Sequence, residues 1–240
     1  MNAWTYLDSG PACGRENMLI DERLLDQVTR EALPATLRLY SWDPPAVSVG
    51  RFQNSETAVN AETCARRGID IVRRVTGGRA VLHDRELTYS IVARTSDPLF
   101  PGDVLGAYKT IAAGLLAGLK KLGIQAEMVS RSNRHAALVK KRDKEPSCFS
   151  SPSWYEVLVN GRKIIGSAQR RVAGAFLQHG SILIRHDPVL EAEVIPGAGT
   201  HEGVTSIERE LGRDISLEEV KSAFAKGFSD ALGIHFIKQG

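Results

Sequence analysis

Hydrophobic positions along this chain switch between a period of two and a period near 3.6, and each switch marks a predicted element. Trp4 to Leu7 alternates like a short strand, which Asp8-Ser9-Gly10-Pro11 is expected to close. Asn17 to Arg30 carries Ile20, Leu24 and Val28 on one helical face. Leu37 to Trp42 and Ala46 to Val49 read as strands around an Asp43-Pro44-Pro45 turn, the second ending at Gly50. A short helix is predicted over Ala61 to Arg67, followed by strands over Ile69 to Val75, Ala80 to His83 and Leu87 to Ala93.

The longest predicted helix runs from about Val104 to Leu122, with Leu105, Tyr108, Ile111, Leu115, Leu119 and Leu122 as its core stripe. Tyr155 to Ser167 reads as a hairpin, because Asn160-Gly161 separates two apolar runs and a type I′ turn needs positive φ at both positions. Phe176 to Ile184 is a further strand. Ser216 opens a last helix, with Glu219 completing a capping box and Gly233 stopping it after Leu232. Strands and helices interleave irregularly, with no repeat or linker between them. One α+β domain over residues 1–240 is therefore expected.

Composition changes this picture little. A content of 42% hydrophobic and 25% charged residues is that of an ordinary globular chain. The net charge of +3 is too small to make nucleic acid the main partner. No apolar run approaches the roughly 18 residues of a membrane span, and the N-terminus MNAWTYLDSG has no signal-peptide pattern. Cys13, Cys64 and Cys148 are odd in number and lack C-x-x-C spacing, so a reduced, cytoplasmic setting is expected.

Cys64, on its short helix, reads as an apolar filler. Cys148 differs, because EPSCFSSPSWYE places it in a run of prolines and serines that reads as a loop. A thiol there is either incidental or free to meet substrate. Gly77-Gly78, within RRVTGGRAVLHDRELTYS, makes either a tight turn or a close backbone approach to a ligand. Neither a Walker-type phosphate loop nor the G-x-G-x-x-G dinucleotide pattern is present. His83 and His179 are readable as proton carriers or as hydrogen-bonded structural histidines, and the residues favour the second.

RRVTGGRAVLHDRELTYS resembles the signature region of the biotin/lipoate protein ligase superfamily. NMLIDE, WDPPAVSVGRFQ, NGRKIIGSAQRR, LQHGSILI and GVTSIERELG resemble its other blocks in the same order, so the likeness covers nearly the whole chain. It implies a mixed sheet flanked by helices that binds an acyl group near the glycine pair. The implied substrate-binding residues are Arg73, Gly77, Gly78, Arg79, His83, Gly166 and Ala168. Arg79 stands where lipoate ligases carry a third glycine, and Glu86-Leu87 where they carry Gly-Asn.

The TGGRAVLH…ELTYS wording, together with a cysteine before PSWYE, is instead similar to the octanoyltransferase branch. That similarity implies Cys148 as nucleophile and Lys163 as its partner, with octanoyl-acyl carrier protein as donor. A lipoyl domain or glycine cleavage H protein is the implied acceptor. It implies no cofactor, no metal, no accessory C-terminal domain and a monomer. Transfer through a second thioester divides one difficult step into two. A free thiol has a pKa near 8.5, and each unit of lowering needs about 1.4 kcal/mol of thiolate stabilisation, which a nearby ammonium can supply.

Hairpin pairing places Leu158 opposite Lys163, with Lys163 on a face shared with Leu158 and Ile165. Arg131, Arg134, Lys140, Lys141, Arg142 and Lys144 precede Cys148 and either steer an acidic carrier or form a solvated loop. The alternatives are an ATP-dependent lipoate ligase, in which Cys148 is incidental, and an inactive acyl- or carrier-binding protein.

Overall fold

The computed structural model describes residues 2–31, 33–100, 102–128, 156–198 and 203–238. Cys148 and the basic stretch from Arg131 to Lys144 lie outside these residues.

The first half of the chain supplies β1 (Asn2–Ala12), α1 (Gly14–Arg30), β2 (Thr36–Trp42) and β3 (Ala46–Val49). It continues through α2 (Ser55–Ala58), α3 (Ala61–Arg67), β4 (Asp70–Arg73), β5 (Val81–His83), β6 (Glu86–Arg94) and α4 (Val104–Lys121). The second half adds β7 (Glu127–Met128), β8 (Val157–Val159), β9 (Arg162–Val172) and β10 (Ala175–Leu183). It ends with α5 (Pro188–Val194), α6 (Ile207–Leu211), α7 (Leu217–Leu232) and β11 (Ile234–Lys238).

Eight strands form one mixed sheet in the order β11-β1-β2-β6-β10-β9-β8-β7, and β4-β3-β5 form a second, smaller one. Among the described residues no helix is long and apolar enough to cross a membrane. The α+β architecture expected from the pattern is what forms.

The two faces of the large sheet have different coverings. Leu37, Leu39, Leu87, Tyr89, Ile91, Phe176 and Ile182 join Ile111 and Leu115 of α4 and Phe224 and Phe228 of α7 in the main core. The stripe expected on α4 holds at Ile111, Leu115 and Leu119, while Leu105, Tyr108 and Leu122 are only half-buried. The two helices close on each other through glycines absent from that expectation. A Cβ on Gly114 would stand 2.1 Å from the Phe228 ring, and one on Gly118 2.6 Å from that of Phe224. On the opposite face, α1 packs Leu24, Leu25 and Val28 against Val92, Ala175 and Leu177.

Three local findings bear on the site. The turn expected at Asp8 to Pro11 does not form, and β1 instead runs on to Ala12 with a bulge between Asp8 and Gly10. Beyond Tyr6 the pairing with β11 has ended, so Pro11 sits where β1 no longer needs a donor on that side. The hairpin turns at Asn160 (φ 49°) and Gly161 (φ 75°) as expected, and Leu158 faces Lys163. Val157, however, pairs with Ile165, which leaves Ile164 as an extra residue in β9 and breaks the strict alternation of faces. At α7, the Ser216 hydroxyl accepts from the Glu219 amide, while the Glu219 carboxylate turns to Arg213.

Candidate active site

Between the large sheet and the small one lies a cavity of about 40 Å³, walled by Tyr40 and Trp42 of β2, His83 of β5, and Gly166, Ala168 and His179 of β9 and β10. Its floor is part of the face of the large sheet that α4 and α7 do not cover. Alternation puts Arg38, Tyr40 and Trp42 of β2 there, with Glu86, Thr88 and Ser90 of β6 and His179 and Ser181 of β10. Polar groups so placed need partners.

His179 is held at both nitrogens, with Nε2 2.7 Å from the Thr76 hydroxyl and Nδ1 3.1 Å from the Asp21 carboxylate. Asp21 in turn accepts from Arg38 at 2.8 Å and from the Tyr40 hydroxyl at 3.2 Å. Burial pushes the Asp21 carboxyl up, but the bond to His179 and the charge of Arg38 outweigh it and hold the group below its usual value. Burial, helped by the Asp21 charge, drives the Tyr40 hydroxyl well above 10.

His83 stacks on Trp42 with ring centroids 4.1 Å apart, and its Nε2 lies 2.8 Å from the Ser48 hydroxyl. Its Nδ1 is 3.3 Å from Glu86 Oε1 without hydrogen-bond alignment. Burial lowers the His83 pKa below 6.5 despite that carboxylate, which keeps the ring neutral at neutral pH. Both histidines are thus hydrogen-bonded wall residues, as their residue types suggested.

The glycine pair lies beside this wall. Gly78 has φ 96°, and its carbonyl oxygen sits where a Cβ on Gly50 would be, 1.9 Å away, so two backbones touch there. Gly77 meets no such neighbour, and a Cβ there would have room. Arg74, which sequence reasoning passed over for Arg73, organises the loop. It is buried, borders the cavity, and donates to the carbonyls of Ser48 at 2.9 Å, Gly77 at 2.9 Å and Arg79 at 2.7 Å. Arg73 points to the other side of β4, is exposed, and donates to the carbonyls of Gly50, Arg51 and Gln53. Strand alternation separates the two arginines, a difference no reading of RR in isolation reveals.

Of the expected binding residues, His83, Gly166 and Ala168 border the cavity. Gly77, Gly78 and Arg79 form the adjoining loop, held by Arg74, while Arg73 braces the neighbouring turn at residues 50–53.

Lys163 is 1% exposed, although it lies near the hairpin turn. Its ammonium donates to Glu156 at 2.5 Å, with both side chains buried. Its backbone is clamped on the side away from β8, where its amide donates to Gly203 and its carbonyl accepts from Thr205. Glu156 was visible in the sequence as the end of PSWYE, and the signal is physical: a buried cation needs a counter-charge. The strap at residues 203–205 had no such signal, being some 40 positions away. Cys148 lies outside the described residues, so its separation from Lys163 does too. Cys64 is buried in an apolar cluster and its thiol pKa is raised by burial, the behaviour of a filler. Among the described residues no group of three His, Cys, Asp or Glu could hold a metal ion.

Residues 13–229 match the model of the lipoyl protein ligase A/B catalytic domain. The chain belongs to that family. It is 42% identical to the octanoyltransferase LipM of Kyrpidia tusciae, an alignment that covers 97% of this chain and 88% of the relative. The octanoyltransferase LipM of Bacillus subtilis is 37% identical, with 97% and 87% covered. A solved lipoate-protein ligase A bound with ATP superposes with a TM-score of 0.79 at 26% identity, covering 99% of this chain and 88% of that one.

Proposed function

We propose that the protein is an octanoyltransferase of protein lipoylation, taking octanoyl from acyl carrier protein and passing it to a lysine of a lipoyl domain such as glycine cleavage H protein. Lys163 carries this reading: it is buried and salt-bridged to Glu156, in a chain aligned nearly end to end with octanoyltransferases.

The Cys148 thiolate attacks the octanoyl carbonyl, the bond from carbonyl carbon to carrier sulfur breaks, and the carrier leaves as a thiolate that takes up the proton Cys148 lost on ionising. The acceptor amine then attacks the acyl-cysteine, an amide forms, and Cys148 regains its thiol. Lys163 supplies the local positive charge that favours thiolate and the developing oxyanion. Glu156 anchors that charge in a dry site. The cavity, with His83, Gly166 and Ala168 in its wall, takes the acyl chain. Gly77, Gly78 and Arg79 form the loop beside it, and Arg73 braces the neighbouring turn at residues 50–53. No metal or cofactor takes part. The setting is cytoplasmic, the protein acts as a monomer, and the positive charge of the stretch before Cys148 steers an acidic carrier.

The test is intact-protein mass after mixing with octanoyl-acyl carrier protein. An octanoyl adduct should form and be absent from Cys148→Ser; an adduct of equal yield in that variant would overturn the reading. A second reading, ATP-dependent ligation, is favoured by the likeness to the ATP-bound ligase. It predicts no adduct, but acylation of a lipoyl domain when ATP and free acid are supplied.

A further inference from the structure

Nearly every polar side chain in the cavity wall is already engaged. His179 bonds Asp21 and Thr76, Thr88 accepts from Trp42 at 2.8 Å, and Ser48 accepts from Arg74 at 3.0 Å. Ser181 is the exception. Its hydroxyl borders the cavity, is 3% exposed, and has no hydrogen-bond partner among the described residues. A buried hydroxyl left unmet costs about 1–3 kcal/mol, so its position calls for a polar ligand atom.

Register says which atom. Ser181 pairs with Gly166, three residues beyond Lys163 on β9, whereas His179 pairs with Ala168, two residues further in. Because Gly166 has no side chain, nothing on β9 covers the Ser181 hydroxyl, and on β6 it pairs with Thr88, whose own hydroxyl is taken by Trp42 and Glu86. An octanoyl chain is inert to hydrogen bonding except at its carbonyl oxygen, which is also where charge accumulates during acyl transfer.

We propose that the Ser181 hydroxyl donates to the carbonyl oxygen of the bound acyl group and so serves as an oxyanion donor alongside Lys163. The inference rests on the octanoyltransfer reading above. It makes Ser181 a catalytic residue that engages the substrate at its reacting carbonyl, while the apolar tail extends toward Ala168 and His179.

The experiment uses the full chain and octanoyl-acyl carrier protein labelled with carbon-13 at the carbonyl. Ser181→Ala should slow single-turnover acylation by about 10²-fold, the scale of one lost oxyanion donor, with KM for the carrier unchanged. Ser181→Thr and Ser181→Val have nearly the same shape but differ in the hydroxyl. The threonine should retain the rate to within about threefold, and the valine should match the alanine variant. In the acyl-enzyme, the labelled carbonyl band should move to higher wavenumber in the alanine and valine variants. Ser90→Ala is the control, since Ser90 is equally buried and unpartnered but does not border the cavity; its rate should be that of the wild type.

Equal acylation rates in the wild type and Ser181→Ala, or an equal loss in the threonine and valine variants, would overturn the inference alone. Failure of the wild type to become acylated would overturn the octanoyltransfer reading and this inference with it.

Discussion

On β6, Leu87, Tyr89, Ile91 and Ala93 face α4 and α7, while Glu86, Thr88 and Ser90 face the other way, on the cavity side. All seven are buried. One face is held by area removed from water, at about 25 cal/mol per Å², which is non-directional and tolerant of shape. The other is held largely by paired polar groups, Ser90 and Ser181 aside, and each pair fails sharply when a partner goes. Burial alone therefore does not distinguish scaffold from site; the chemistry of what is buried does.

The sharpest way to break this contrast is Asp21→Asn. It leaves the Arg38 guanidinium, whose side chain is fully buried, without its charge partner. A stability loss of about 3–5 kcal/mol is expected, with a further drop in kcat because His179 loses the group that orients it. Denaturant unfolding and acyl-transfer kinetics check the two effects separately. Full activity in the folded variant would mean that the polar face is scaffold after all.

Phe228→Ala attacks the opposite face, opening space above Gly114. A loss of about 3–5 kcal/mol is expected, but kcat measured where the variant remains folded should stay within about twofold. A large fall in kcat would show that the apolar face communicates with the site.

The smallest effect is a pH dependence. His83 is neutral when folded, with its pKa depressed by burial, and titrates near 6.5 when unfolded. The unfolded chain therefore binds the extra proton first as pH falls. The stability this group contributes is complete above about pH 6.5 and is lost as pH drops toward the depressed value. His83→Gln should flatten the melting temperature measured between pH 7.5 and 5. An unchanged slope would assign the dependence to other groups.

Elements with a strong local signal were legible. The Asn160-Gly161 turn, the α7 cap at Ser216 and its stop at Gly233 formed where local chemistry placed them. The helix α5 was legible too, with Asp187 capping it and Pro188 at its first turn, but it was not anticipated. Gly114 and Gly118 went unread because their role is to leave room for rings on α7.

The site divides along the same line. His83, Gly166 and Ala168 were expected and border the cavity, whereas Arg74, Glu156 and Ser181 were missed. Each of these is defined by the groups it does or does not meet. Periodicity and turn chemistry are carried within a few residues, so the sequence by itself determined where strands and helices lie and which family the chain resembles. Which arginine faces inward, which carboxylate meets Lys163 and which hydroxyl has no partner depend on strand register and on the covering of each sheet face. Those follow from contacts between segments up to 158 positions apart, as for His179 and Asp21, and only the tertiary structure decided them.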